Sequence, residues 1–137
     1  PGLAGLHAAL GFLMETGPDT IRAHELALTE RFLEGLCPMQ ADGRLQILGL
    51  PGTENRAGVV SVQTVARDCA DIAAELDEKF SIATRVGLHC APAAHKTLGT
   101  FPTGTIRFSF GFFNTEQDAD RAVAALDALT KEDAHGL

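Results

Sequence analysis

Leu3, Leu6, Leu10 and Leu13 recur at steps of three and four, which lays one apolar stripe along a first helix. Gly17 suits the end of that helix, and Pro18-Asp19 supplies first-turn chemistry for the next. The second helix carries Ile21, Leu28, Phe32 and Leu36 on one side, leaves Glu25, Glu30 and Arg31 for solvent, and is expected to stop near Cys37-Pro38. Residues 39–44 read as a turn, strongest at Asp42-Gly43. Two β-like runs follow, 45–50 and 59–65, separated by a Pro/Gly/Asn loop. In the second run Val60, Val62 and Thr64 share one face. Asp68 is placed to cap a helix through Phe80, in which Ile72, Leu76 and Phe80 align. Residues 82–86 read as a strand, 93–98 as a short helix behind Pro92, and 105–110 as another strand. Thr115-Glu116-Gln117-Asp118 approximates a capping box and opens a last helix with Ala119, Val123, Leu126 and Leu129 inward.

These elements predict an α+β fold: a small, mainly antiparallel sheet of about four strands, with helices packed on one face. There is no internal repeat and no low-complexity segment, so the chain forms a single compact unit. It opens on Pro1-Gly2 without Met, directly into an apolar helix, which reads as the start of an excised domain. The two N-terminal helices are then expected to pack partly against preceding structure.

Composition narrows the partners. The 137 residues are 45% hydrophobic, enough for one sizeable core. The net charge of −7, with no Trp, no Tyr and no Lys/Arg cluster, argues against nucleic acid, whose phosphates demand the opposite sign. No apolar run reaches bilayer length and the first residues do not read as a signal peptide, so no membrane partner is expected. Three cysteines are an odd number and far too few for a disulfide scaffold, so they read as thiols of a reducing cytoplasm.

Candidate chemistry concentrates in Arg85-Val86-Gly87-Leu88-His89-Cys90-Ala91-Pro92, then His95 and Arg107. Cys90 follows a predicted strand, where a loop can expose it to a cleft. Cationic neighbours (Arg85, His89, His95 and Arg107) and the helix start at Pro92 would favour a nucleophilic thiolate. The plain alternative is a small buried hydrophobe. His89, Cys90 and His95 could be metal ligands, yet no CxxC, no HxxxH and no fourth ligand accompany them, and no metal is expected. In a Cys-His hydrolase reading His95 is the better base, because adjacent strand residues such as His89 and Cys90 point to opposite faces. Arg107 lies in the apolar run Ile106-Arg107-Phe108 and needs a carboxylate, either of the protein or of a substrate. Cys37 and Cys69 have no chemical companion at useful spacing; His7 and His24 read as surface or half-buried helix residues, and His135 as part of a frayed tail.

With those residues in place, RVGLHCAPAAHKTLGTFPTGTIRFSFGFFNTEQDAD resembles the C-terminal end of class V aminotransferase-fold enzymes, most closely the cysteine desulfurase and selenocysteine lyase-like subgroup. That subgroup leads a strand into Arg-x-Gly-x-His-Cys-Ala, here Arg85, Gly87, His89, Cys90 and Ala91, with Leu88 where relatives often carry a second His. A substrate-binding Arg follows, here Arg107, then an aromatic-Asn-Thr turn, here Phe113-Asn114-Thr115. The two N-terminal helices are similar to the segment joining the family's large and small domains.

The resemblance implies a pyridoxal 5'-phosphate enzyme of fold type I, normally a homodimer. Residues 1–38 would be a helical connector from a large domain, and 39–137 the small C-terminal domain. It implies L-cysteine or a related amino acid as substrate, Cys90 as the residue that takes a persulfide, and Arg107 as the clamp on the substrate carboxylate. Arg85 and His89 would line the site, and a sulfur-acceptor protein is an implied partner. The cofactor-bearing lysine would lie outside this chain, since Lys79, Lys96 and Lys131 lack the family's lysine context. The chain alone is then expected to be inactive. The alternatives are an aminotransferase or lyase acting on another amino acid, and a non-catalytic α+β ligand- or partner-binding module.

Overall fold

The computed structural model describes residues 1–131. Helices α1 (Gly2–Thr16) and α2 (Pro18–Ala41) lead into strands β1 (Leu45–Leu48) and β2 (Val59–Thr64). Then follow α3 (Cys69–Phe80), β3 (Arg85–Gly87), α4 (Pro92–Leu98), β4 (Thr105–Ser109) and α5 (Glu116–Lys131). The strands form one sheet in the order β1-β2-β4-β3, every neighbouring pair antiparallel. The α+β expectation with four antiparallel strands holds.

Local chemistry starts the helices where the side chains predict. The Asp68 carboxylate accepts the Ala70 N–H at 2.7 Å, satisfying one of the unpaired donors of the first turn of α3. At α5 the box is reciprocal: Thr115 N–H donates to Asp118, and Asp118 N–H to the Thr115 hydroxyl.

The inward face of the sheet holds the core. Val60, Val62, Ile106 and Phe108 pack against Phe32, Leu36 and Met39 of α2, Ile72 and Leu76 of α3, and Leu126 and Leu129 of α5. Phe32, fully buried, meets the rings of Phe108 and Phe110 at 4.9 and 5.3 Å. Burying each large apolar side chain contributes about 1.5–3 kcal/mol. At Gly35 an added Cβ would lie 2.5 Å from a methyl of Val123, so the close approach of α2 to α5 depends on a missing side chain. Val123 itself is only half-buried.

Three expectations change. The second helix does not stop at Cys37-Pro38 but runs through Pro38 to Ala41. Buried Leu36 and Met39 flank the proline, and their packing outweighs its helix-breaking tendency. Residues 82–84 are not strand. Ser81 closes α3 in the left-handed region (φ 55°), and the Ile82 N–H turns back onto the Leu76 carbonyl, so pairing starts only at Arg85. Likewise 49–50 and 65 fall outside the strands. No residue of α1 is buried, and Leu3, Leu6, Leu10 and Met14 of its stripe and flank are exposed. His135 lies outside the described residues.

Candidate active site

The face of the sheet opposite the core carries the chemistry. Along β4, Ile106 and Phe108 enter the core, so Thr105 and Arg107 belong to the other face. Register then decides which residues stand beside them. Arg85 on β3 is directly opposite Arg107, Gly87 is opposite Thr105, and Ser61 on β2 flanks Arg107 from the other side. Two guanidiniums at one cross-strand position repel each other. Among the described residues neither arginine makes an ion pair with a carboxylate, and the buried Nε of Arg107 has no hydrogen-bond partner. Among the described residues, the expected alternative of a protein carboxylate on Arg107 is therefore absent. Buried arginine donors without an acceptor are costly, and an anion resolves both the repulsion and the orphaned donor.

Cys90 is mounted just past β3. Residues 88–91 form a turn closed by the Ala91 N–H on the Leu88 carbonyl at 2.8 Å. Both central residues have positive φ, 50° at His89 and 59° at Cys90, the backbone pattern of a type I′ turn that normally takes Asn or Gly. Each such residue costs roughly 1 kcal/mol or more, so the turn persists because its surroundings hold it. The thiol-bearing residue is exposed.

His89 is half-buried, its Nε2 lies 3.1 Å from the Thr105 hydroxyl, and its Nδ1 is buried without a partner. Burial first, and then the neighbouring Arg107, His95 and Arg85, hold the His89 imidazole below its ordinary pKa. It is thus a neutral hydrogen-bonding ring at neutral pH. His95 is buried, its Nδ1 2.7 Å from the Thr100 hydroxyl, and its ring centroid is 5.7 Å from that of His89. The His95 ring is thereby tied into the loop that returns to β4.

A close backbone contact fixes the end of the strand pair. Gly104 (φ 78°) comes so near Gly87 that an added Cβ would lie 2.4 Å from the Gly87 carbonyl carbon and oxygen. The Gly104 N–H also donates to the Thr100 carbonyl at 2.7 Å. The sequence marks Gly104 only as a turn residue, and Thr105 and Thr100 carried no signal there. Thr105 could have been found, because it sits two residues before Arg107 on the same strand face.

The other thiols stand apart. Cys37 bonds the Leu33 carbonyl within α2, and buried Cys69 faces the Thr64 hydroxyl at 3.4 Å. No three His, Cys, Asp or Glu side chains gather as metal ligands among the described residues. Nor do the lysines fit a covalent cofactor site. All three are exposed: Lys79 and Lys131 pair with Glu75 and Asp127, and Lys96 lies over the Phe101 ring. Among the described residues no helix is long and apolar enough to cross a membrane.

The layer thus sets an opposed arginine pair on the sheet face away from the core and an exposed cysteine on the turn that follows β3. Comparison with known proteins makes this specific: the Aminotransferase class-V family profile matches residues 1–122, and the chain belongs to that family. A probable cysteine desulfurase of Aeropyrum pernix is 32% identical over 91% of this chain and 30% of its own length. The corresponding protein of Halobacterium salinarum is 37% identical over 89% of this chain and 28% of its own length. Among solved structures, the apo cysteine desulfurase of Thermococcus onnurineus superposes with a TM-score of 0.85 at 31% identity, over 93% of this chain and 30% of that one. An Escherichia coli cysteine desulfurase gives 0.78 at 25% identity, over 93% and 29%. The chain thus spans about 30% of the length of the relatives it matches.

Proposed function

We propose that this chain is the small C-terminal domain of a pyridoxal 5'-phosphate-dependent cysteine desulfurase, joined through residues 1–38 to a large domain, with the α2 part of that connector built into the small domain's own core. One observation carries the reading: Arg85 and Arg107 stand opposite each other with no carboxylate partner among the described residues, beside the turn that presents Cys90. Arg107, with its unpartnered Nε, binds the carboxylate of L-cysteine. Arg85 and His89 line the same site. The cofactor is an electron sink for amino-acid chemistry, and its lysine and cradle lie outside these residues.

The chain's own part is the nucleophile. The Cys90 thiolate attacks the substrate sulfur; an S–S bond forms as the carbon–sulfur bond breaks. The electron pair stays on carbon, which is protonated to give L-alanine, and Cys90 keeps the sulfur as a persulfide. Holding the carboxylate on Arg107 limits where the sulfur can sit and converts the encounter into an oriented one. A cytoplasmic homodimer that hands the sulfur to an acceptor protein completes the reading. The relatives, named as cysteine desulfurases, favour this reaction over transamination or lysis of another amino acid.

The test is made on the complete enzyme with pyridoxal 5'-phosphate and L-cysteine, measuring alanine and sulfide. Cys90→Ala is expected to abolish both, and Arg107→Ala to raise KM at least about tenfold, the loss of a charge-assisted hydrogen bond. The 137-residue chain alone is expected to form no alanine. Undiminished alanine from Cys90→Ala would overturn the role of Cys90 as sulfur carrier, and a wild-type enzyme that binds the cofactor but releases no sulfur would move the function to another amine-substrate reaction.

A further inference from the structure

His89 does more than border the site. Its ring reaches from the Cys90 turn to the Thr105 hydroxyl, and Thr105 is two residues from Arg107 on the same strand face. On its other side lies His95, itself fixed: its Nδ1 meets the Thr100 hydroxyl, and its carbonyl takes the Thr100 N–H at 2.9 Å. Thr100 in turn accepts from Gly104, whose backbone touches Gly87 at the start of the turn. Turn, α4, the α4–β4 loop and β4 thus close a ring of contacts around one imidazole. The turn inside that ring has two consecutive non-glycine residues at positive φ, a conformation that does not hold itself.

We propose that His89 is a positioning residue for Cys90: its hydrogen bond to Thr105 clamps the strained 88–91 turn onto the strand that carries Arg107. The inference rests on the desulfurase reading for its purpose, while the clamp itself is a property of this chain. Without the bond, the turn relaxes toward ordinary backbone angles and Cys90 loses its fixed distance from the arginine. The substrate carboxylate still binds, but sulfur transfer slows. The clamp acts at the step after binding, which separates it from the role of Arg107.

The experiment uses two variants of Thr105. Thr105→Val keeps the shape and removes the hydroxyl; Thr105→Ser keeps the hydroxyl. Amide hydrogen exchange is followed at Ala91, which closes the turn, and at Val62 in the sheet. In Thr105→Val the Ala91 amide is expected to exchange at least about tenfold faster, with Val62 unchanged, and Thr105→Ser to restore protection. If Thr105→Val also frees Val62, His89→Leu, which leaves the strand intact, gives the same comparison. Wild-type protection at Ala91 in both Thr105→Val and His89→Leu overturns the clamp. In the complete enzyme, Thr105→Val is expected to lower kcat with KM nearly unchanged, and a rise in KM alone also overturns the positioning role. A wild-type enzyme without desulfurase activity would defeat the proposed reaction and leave the exchange result standing, so the two failures are distinct.

Discussion

The two faces of one sheet obey opposite rules. On the inward face, Val60, Val62, Ile106 and Phe108 are almost wholly buried in an apolar cluster with residues from three helices. On the outward face stand two opposed arginines and an orphaned guanidinium nitrogen, and just past β3 comes a half-buried histidine in a turn with unfavourable backbone angles. The first face is where stability comes from; the second holds the groups on which the proposed site rests. A strand of five residues serves both because its side chains alternate.

The largest expected contrast lies across β4. Phe32→Ala on the core side removes a fully buried ring and is expected to cost about 3–5 kcal/mol in urea unfolding. Arg107→Gln on the other face is expected to change stability by no more than about 0.5 kcal/mol or to increase it, because it relieves a like-charge pair. A loss comparable to that of Phe32→Ala would mean that Arg107 serves the fold.

Next in size is Gly104→Ala. The new methyl would collide with the Gly87 backbone at 2.4 Å and sit at φ 78°, so a loss of about 2 kcal/mol or more is expected, with the site end of β3–β4 separating first. Ordinary exchange protection at Thr105 in that variant would show that the contact yields easily. Asp68→Ala, far from the site, should cost about 1 kcal/mol through the lost cap of α3.

The smallest effect is on pH. His89 titrates below its ordinary 6.5, so in the interval between the two values the unfolded chain binds more protons than the native one. No penalty exists above 6.5, and it grows as the pH falls below that value. Glu75, held at about 2 by hydrogen bonds from Arg67 and Lys79, adds stability above its ordinary 4.5 that is lost as the pH drops from there toward 2. Urea midpoints should therefore decline in two stages, and His89→Gln should flatten only the upper one. An unchanged upper stage in His89→Gln would assign it to another group.

How much of this was readable in advance follows the range of the interactions. The caps at Asp68 and Thr115, and the shared face of Val60, Val62 and Thr64, depend on residues a few positions apart, and those were legible. Pro38 misled because the packing of Leu36 and Met39 overrides a local rule. At 82–86 the β-like composition hid the left-handed exit of α3 at Ser81. Cys90 and Arg107 stood out by residue type and by resemblance. Their arrangement did not: the Arg85–Arg107 register, the His89–Thr105 bond across 16 positions and the Gly87–Gly104 contact are fixed only when β3 and β4 pair. The burial of His95 against Thr100 is likewise set by the fold of the α4–β4 loop and carries no mark in the sequence.

The most direct measurement of the central claim is to locate the transferred sulfur. The complete enzyme is given L-cysteine labelled at sulfur, quenched with an alkylating agent, digested and examined by mass spectrometry. The account predicts one extra labelled sulfur on the peptide containing Cys90, and none on those containing Cys37 or Cys69. Alanine formed in amounts equal to enzyme, with Cys90 carrying no sulfur, would contradict it.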